Sequence, residues 1–145
     1  MELSQLESIY RVYDEELAQA NRKASIFAGL FGQGSMDDPR NAPCNKIFYE
    51  NTGKWVKDFA RTSPAQEEIT AVCRFLMEAA GKRVNTPTYW YTLVAQGYMK
   101  ELIPLLTPQN CEVLAAAYNS LYPKRKRLPL QDDVYAHLTG RATEK

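Results

Sequence analysis

The segment GSMDDPRNAPCN, residues 34–45, holds the densest group of side chains that could bind a ligand or take part in a reaction. Adjacent carboxylates and an amide supply the oxygen donors that a hard cation prefers. A pocket built on this loop would bind a polar ligand or support catalysis. The candidate ligand-binding residues are Asp37, Asp38, Arg40, Asn41, Cys44 and Tyr49.

The same loop also fits a purely structural role, which is the interpretation we favour. Pro39 disrupts the alternating ligand spacing of a calcium-binding loop, and Arg40 would compete for the carboxylates. In a connection between two helices, the aspartates cap turns, one of them pairs with Arg40, and Asn41 caps the next helix. The ligand pocket remains the alternative hypothesis.

The cysteines and the single histidine do not form a recognisable reactive site. A helix N-terminus could lower the pKa of the Cys44 thiol, but nothing in the sequence places His137 beside it as a base. Structural zinc usually takes ligands in close pairs, and these residues are scattered. We therefore predict no metal and no cofactor, and we expect Cys44, Cys73 and Cys111 to be small core residues.

The segment TYWYTLVAQGYM, residues 88–99, is rich in aromatic side chains. They fall on two stripes of a helix, which indicates either a central position in the core or a second partner. Tyrosine and tryptophan are favoured anchors in protein interfaces. The candidate partner-binding residues are Tyr89, Trp90, Tyr91 and Tyr98. Gly97 lies between the last two, and a close approach of another helix would explain it.

A run of four basic residues, Lys124, Arg125, Lys126 and Arg127, lies between Pro123 and Pro129. The favoured interpretation is a solvated connection, pinned to the protein by the apolar residues that follow it. As an alternative, the run could contact nucleic acid. Four cations would neutralise about four phosphates, giving a contact that weakens strongly with salt.

The elements that must position these side chains are predicted to be helices. Apolar residues recur along the first segment at steps of four and three, namely Leu6, Tyr10, Tyr13, Leu17, Ala20, Ala24, Phe27 and Phe31. Ser4 and Glu7 resemble a capping box. Three later helices are expected to start at Ser63-Pro64, with Gln66 completing a capping box, at Thr86-Pro87 and at Thr107-Pro108. A short last helix carries Val134 and Leu138 and is expected to stop at Gly140.

The segment from residue 44 to 60 fits two structures. Cys44, Phe48, Trp55 and Phe59 share one helix face, whereas Gly53 could instead serve the turn of a hairpin. We favour the helix because the flanks do not alternate between apolar and polar residues. Residues 1–145 are therefore predicted to form one all-α domain, a bundle of about five to six helices with a long N-terminal helix.

Composition limits the classes of function. The net charge of +1 argues against holding nucleic acid or an anionic membrane by bulk charge. No apolar stretch reaches the roughly 20 residues that span a bilayer, so no membrane partner is expected. Three cysteines without paired spacing favour a reducing cytoplasm.

The leading hypothesis is a small intracellular binding or adaptor module that presents an aromatic-rich helical surface to a protein partner or self-associates. The alternatives are a nucleic-acid-associated protein that uses residues 124–127, and a ligand-binding or enzymatic pocket around residues 35–45. An enzyme is less favoured because no catalytic constellation is recognisable.

Overall fold

The computed structural model describes residues 2–31, 43–79 and 92–143. Side chains at positions 17, 20–31, 43–45, 79, 92 and 93 lie outside that description. The all-α prediction is confirmed, and none of the described residues forms a β-strand. The α-helices are α1 (Leu3–Phe31), α2 (Pro43–Arg61), α3 (Gln66–Ala79), α4 (Gly97–Leu102), α5 (Pro108–Leu121) and α6 (Pro129–Ala142). A π-helical turn, Thr92–Gln96, precedes α4, and 3-10 turns follow α4 and α5 at Ile103–Leu105 and Lys124–Lys126.

Helix α1 buries the start of its predicted seam, at Leu6, Tyr10 and Tyr13. The helix is 29 residues long. Its first turn differs from the Ser4–Glu7 prediction, because the helix already begins at Leu3. The side-chain oxygen of Gln5 accepts the hydrogen bond from the Glu2 backbone N–H at 3.2 Å, so the cap lies two residues earlier than predicted.

The helix prediction for residues 44–60 is confirmed by α2. Its buried face carries Phe48, Trp55, Val56 and Phe59. Gly53 therefore lies within a helix and not in a hairpin turn. It leaves room for a ring of another element, which is described with the functional site.

Helices α1 and α2 run antiparallel. The Trp55 indole N–H donates to the Gln5 side-chain oxygen at 3.3 Å, and the Tyr13 and Phe48 rings stack at 4.0 Å. Residue numbers thus rise along α1 as they fall along α2, which is the arrangement of neighbouring helices in an up-down bundle.

The predicted start of α3 at Ser63 is wrong. Ser63 has a φ of 52°, in the left-handed region, whereas an N-cap residue is extended. The helix begins at Gln66, and the Glu68 carboxylate accepts the Ala65 N–H at 3.3 Å.

The side chain of Gln66 bonds to residues at the start of α5 instead of forming the predicted capping box. Its side-chain oxygen accepts from the Thr107 N–H at 2.9 Å and from the Asn110 amide at 3.0 Å. Its amide nitrogen donates to the Leu105 carbonyl at 2.8 Å. One side chain therefore joins the start of α3 to the start of α5.

The Thr107-Pro108 start of α5 is confirmed. The Thr107 hydroxyl accepts from the Asn110 N–H at 3.3 Å, and Pro108 is the first helical residue. The stop at Gly140 is wrong, because α6 continues through it to Ala142. Gly140 keeps helical geometry, and nothing in its surroundings forces the chain to turn there. The Thr86-Pro87 start lies outside the described residues.

The core includes two of the three cysteines. Cys73 and Cys111 are fully buried, as predicted, and burial raises the pKa of the Cys73 thiol well above its ordinary value. A buried thiol with a raised pKa is a poor nucleophile. The close helix approach expected at Gly97 is absent from the described part of the chain, since a Cβ there would meet no heavy atom within 4 Å.

Candidate partner-binding groove

A groove with a volume of about 200 Å³ runs between α1 and α2. We call it the α1–α2 groove. It is lined by Ser8, Ile9, Val12, Tyr13, Glu16, Ile47, Phe48 and Asn51. From Ser8 to Glu16 it follows α1 for about 12 Å, or two helical turns. That length suits one short segment of a helix.

The floor of the groove is a packed set of aromatic rings. Tyr13 and Phe48 stack at 4.0 Å with an interplanar angle of 4°. Tyr10 meets Phe48 edge-on at 4.7 Å and Phe75 of α3 edge-on at 5.0 Å. Offset or edge-on aromatic pairs stabilise a structure beyond the area that they bury. The floor is therefore fixed by α1, α2 and α3 together.

The rim of the groove exposes aliphatic side chains. Val12 on α1 is 47% exposed and Ile47 on α2 is 50% exposed. Each lies immediately before a buried ring residue, Tyr13 or Phe48, and so points about 100° away from the core. Single exposed aliphatic residues are common on protein surfaces. Here two of them border the same apolar groove, which is a feature of binding surfaces.

The helical segments on the two sides of the groove, which we call its walls, carry opposite net charge. Residues 2–19 contain five acidic residues and one basic residue, a net charge of −4. Residues 46–61 contain four basic and two acidic residues, a net charge of +2. Glu16 is the charged residue in the lining itself. The α1 wall is therefore negative overall, and the α2 wall is positive overall.

The predicted ligand-binding set is only partly described. Asp37, Asp38, Arg40 and Asn41 lie outside the described residues, and so does the side chain of Cys44, whose backbone belongs to α2. Tyr49 is half-exposed, with its ring 5.4 Å from that of Tyr98. The hypothesis of a pocket at residues 35–45 therefore stays a prediction.

The aromatic partner surface is described at one of its four positions. Tyr89, Trp90 and Tyr91 lie outside the described residues. Tyr98 is 8% exposed and is therefore not an accessible anchor. Its hydroxyl donates to the Tyr49 carbonyl at 3.2 Å, and burial raises its pKa.

Tyr98 also explains the glycine in α2. A Cβ on Gly53 would overlap the Tyr98 hydroxyl oxygen, lying closer than van der Waals contact allows. The close approach that we predicted at Gly97 therefore occurs at Gly53, where the ring from α4 crosses α2.

The basic run divides into two parts. Lys124, Arg125 and Lys126 form an exposed 3-10 turn, and no acidic side chain in the described part of the chain pairs with them. The side chain of Arg127, by contrast, is only 4% exposed. The predicted row of four solvated cations is therefore a row of three.

Arg127 fixes the connection between α5 and α6. Its Nε donates to the Tyr122 carbonyl at 2.7 Å, and its Nη2 donates to Asn119. Its Nη1 lies 3.6 Å from an Asp132 carboxylate oxygen, and its guanidinium lies 4.0 Å above the Tyr135 ring. The predicted pinning of this loop occurs mainly through a charged side chain. Of the apolar residues expected to do it, Leu130 is partly buried against the core.

A buried polar cluster joins the π-helical turn to α3 and α5. The Tyr118 hydroxyl donates to the Gln96 side-chain oxygen, and the Tyr122 hydroxyl donates to the Met77 carbonyl. Gln96 is fully buried, and burial raises the pKa of both tyrosines. Hydroxyls with raised pKa values remain neutral donors, so the cluster fixes the packing of three elements.

His137 lies on the exposed side of α6. Its Nδ1 is 2.7 Å from the Asp133 carbonyl and 3.3 Å from the Asp133 carboxylate, which also pairs with Lys100. Within the described ranges, His, Cys, Asp and Glu side chains form no group of three or more that could hold a metal ion. None of the helices described has the length and apolarity to cross a bilayer.

No protein-family description, no curated protein and no solved structure matches this chain. The case for a function therefore depends on the groove and its surroundings. Sequence reasoning missed this groove because it followed the buried seams. The signal that could have found it is a set of apolar residues beside the two seams, Ile9 and Val12 on α1 and Ile47 on α2.

Proposed function

We propose that the protein is a helical interaction module that takes a helix of a protein partner into the α1–α2 groove. The observation that carries this proposal is the pair of half-exposed aliphatic side chains, Val12 and Ile47, across an apolar groove of about 200 Å³. Amphipathic helices bind such grooves through residues spaced three and four apart. A cytoplasmic location fits the cysteine pattern and remains our expectation.

This proposal keeps the class of function that the sequence suggested but moves the surface. The aromatic residue that is described, Tyr98, is buried and serves the packing of α4 on α2. Exposed aliphatic residues on α1 and α2 replace it as the expected anchors. The aromatic rings lie below them and supply a rigid base.

The nucleic-acid alternative becomes weaker with Arg127 engaged inside the protein. Three exposed cations would give a salt slope of roughly −2.7 on a log–log plot for duplex DNA. Such a contact carries no sequence information, because it is made to phosphates. We expect weak, non-specific binding at physiological ionic strength.

The proposal is tested with a designed amphipathic peptide that carries leucines at positions i, i+3, i+4 and i+7. Fluorescence anisotropy of the labelled peptide measures binding to the full chain. We expect the Val12→Ser, Ile47→Ser double variant to bind at least about tenfold more weakly, as expected for the loss of two anchors.

The matched control changes exposed aliphatic residues elsewhere. Val113 and Leu121 on α5 are 53% and 47% exposed. The Val113→Ser, Leu121→Ser variant should bind the peptide like the unchanged protein. Equal loss in both variants, or no loss in either, would contradict the proposed site.

A further inference from the structure

We propose that the partner covering the α1–α2 groove is a second copy of this chain. Two α1–α2 pairs pack face to face about a two-fold axis parallel to the helices, so that α1 of each copy lies against α2 of the other. This inference rests on the proposed function and names its partner.

The antiparallel pairing of α1 and α2 makes this arrangement possible. A two-fold axis along the helices places each α1 beside an antiparallel α2 of the other copy, so that all neighbours are antiparallel. That is the packing of an up-down four-helix bundle. The interface is isologous, because each copy contributes the same patch and receives the same patch.

The apolar residues suit such a core. Ile9, Val12 and Ile47 lie at the mouth of the groove, above the stacked rings of Tyr13 and Phe48. Facing copies would bury the half-exposed Val12 and Ile47 side chains, and side chains from the helices of each copy would enter the groove of the other. Ser8 and Asn51, which also line it, can donate and accept hydrogen bonds across the interface.

Charge selects this two-fold arrangement over the other one. An axis perpendicular to the helices would place α1 on α1, bringing two segments of net charge −4 together. The parallel axis instead opposes residues 2–19 of one copy to residues 46–61 of the other, −4 against +2. Juxtaposed like charges are costly in interfaces, whereas complementary potentials favour association. The chain is therefore complementary to itself along one axis.

The experiment is analytical ultracentrifugation of the full chain over a series of concentrations. We expect a reversible monomer–dimer equilibrium that weakens as salt rises from about 0.1 M to about 1 M, where the Debye length falls from about 10 Å to about 3 Å. The Val12→Glu, Ile47→Glu variant should be monomeric, and its circular dichroism and melting temperature should show that it is folded.

Charge reversal tests the axis itself. Glu15→Lys with Glu16→Lys changes the net charge of residues 2–19 from −4 to 0, and Lys46→Glu with Lys54→Glu changes that of residues 46–61 from +2 to −2. Each double variant should dimerise at least about fivefold more weakly. Adding the two α1 changes to the α2 variant should recover part of the loss, because the repulsion of −4 against −2 is removed. If α1 packed on α1, reversing the α2 wall alone would leave dimerisation unchanged.

Three results would overturn the inference: a monomer at every concentration, a dimer that persists in the Val12→Glu, Ile47→Glu variant, or charge reversals without effect. A chain that stays monomeric but still binds the designed peptide through Val12 and Ile47 would refute the dimer and leave the proposed function standing. A monomer that also ignores the peptide would contradict both.

Discussion

Among the described helices, the antiparallel pairs α5–α6 and α1–α2 meet in different ways. Helices α5 and α6 run antiparallel because Tyr118 lies near Tyr135 while Leu106, which precedes α5, bonds to Arg141. In α5–α6, the buried arm of Arg127 reaches Tyr122, Asn119 and Asp132 and covers the Tyr135 ring. In α1–α2, the Tyr13 and Phe48 rings stack, and the Trp55 indole N–H donates to Gln5.

The difference shows that a helix pair can be stabilised either by buried polar contacts or by ring packing beneath an exposed groove. A guanidinium has several directional donors, and at Arg127 these are satisfied within the protein. Ring packing fills the floor of the α1–α2 groove but leaves the Val12 and Ile47 side chains about half-exposed to solvent. The connection within the first pair is fixed by its own buried side chain, whereas in the second pair the exposed aliphatic residues border a groove that a partner could cover.

The largest expected effect comes from removing Arg127. Arg127→Ala should lower the free energy of unfolding by about 2–4 kcal/mol, because hydrogen bonds from a charged donor and a cation–π contact are lost together. Urea denaturation measures the change. Arg125→Ala, an exposed neighbour, should change stability by less than about 0.5 kcal/mol. If both substitutions cost the same, the contrast drawn between buried Arg127 and its exposed neighbours fails.

The next largest effect is expected for Gln66, whose hydrogen bonds join α3 to the start of α5. Gln66→Ala removes three hydrogen bonds, to Thr107, Asn110 and Leu105, and should cost about 1.5–3 kcal/mol. Gln109→Ala, the same change at an exposed position, is the control and should be nearly neutral. If the thermal melting curves of the two variants coincide, Gln66 does not join α3 to α5.

A smaller loss is expected at the Gly53–Tyr98 crossing. Gly53→Ala improves helix propensity by about 1 kcal/mol, but the added methyl overlaps the Tyr98 hydroxyl, and overpacking typically costs about 1–3 kcal/mol. The net result should be a lower melting temperature. Gly140→Ala, in open helical surroundings, should raise it instead. Stabilisation by both changes would mean that Tyr98 can move aside.

The smallest effect on stability should come from the groove rim. Because Val12 and Ile47 are about half-exposed, Val12→Ser with Ile47→Ser should lower the free energy of unfolding by less than about 1 kcal/mol. Chemical denaturation at low protein concentration, where association contributes least, measures this. A loss of several kcal/mol would assign these side chains to the core and remove the distinction between the two helix pairs.

Local patterns of the sequence predicted most of the helices. The all-α class, the buried start of the α1 seam, the helical structure of residues 44–60 and the Thr107 cap depend on neighbours within one or two turns. Errors occurred at helix ends. Ser63 and Gly140 have the residue types of a cap and a stop, but backbone geometry at the first and the continuing helix at the second overrode them.

Tertiary structure decided which side chains are buried within the protein and which stay exposed. Arg127 has the same charge as the exposed residues before it, and only the placement of Tyr122 and Tyr135 made it a buried clasp. Gly53 has the residue type of a turn, but its role is to leave room for the Tyr98 ring, which lies 45 positions later in the sequence. The groove likewise exists only because two helices, each with an ordinary apolar flank, come together. Periodicity is local and can be read along the chain, whereas burial depends on residues that are distant in sequence.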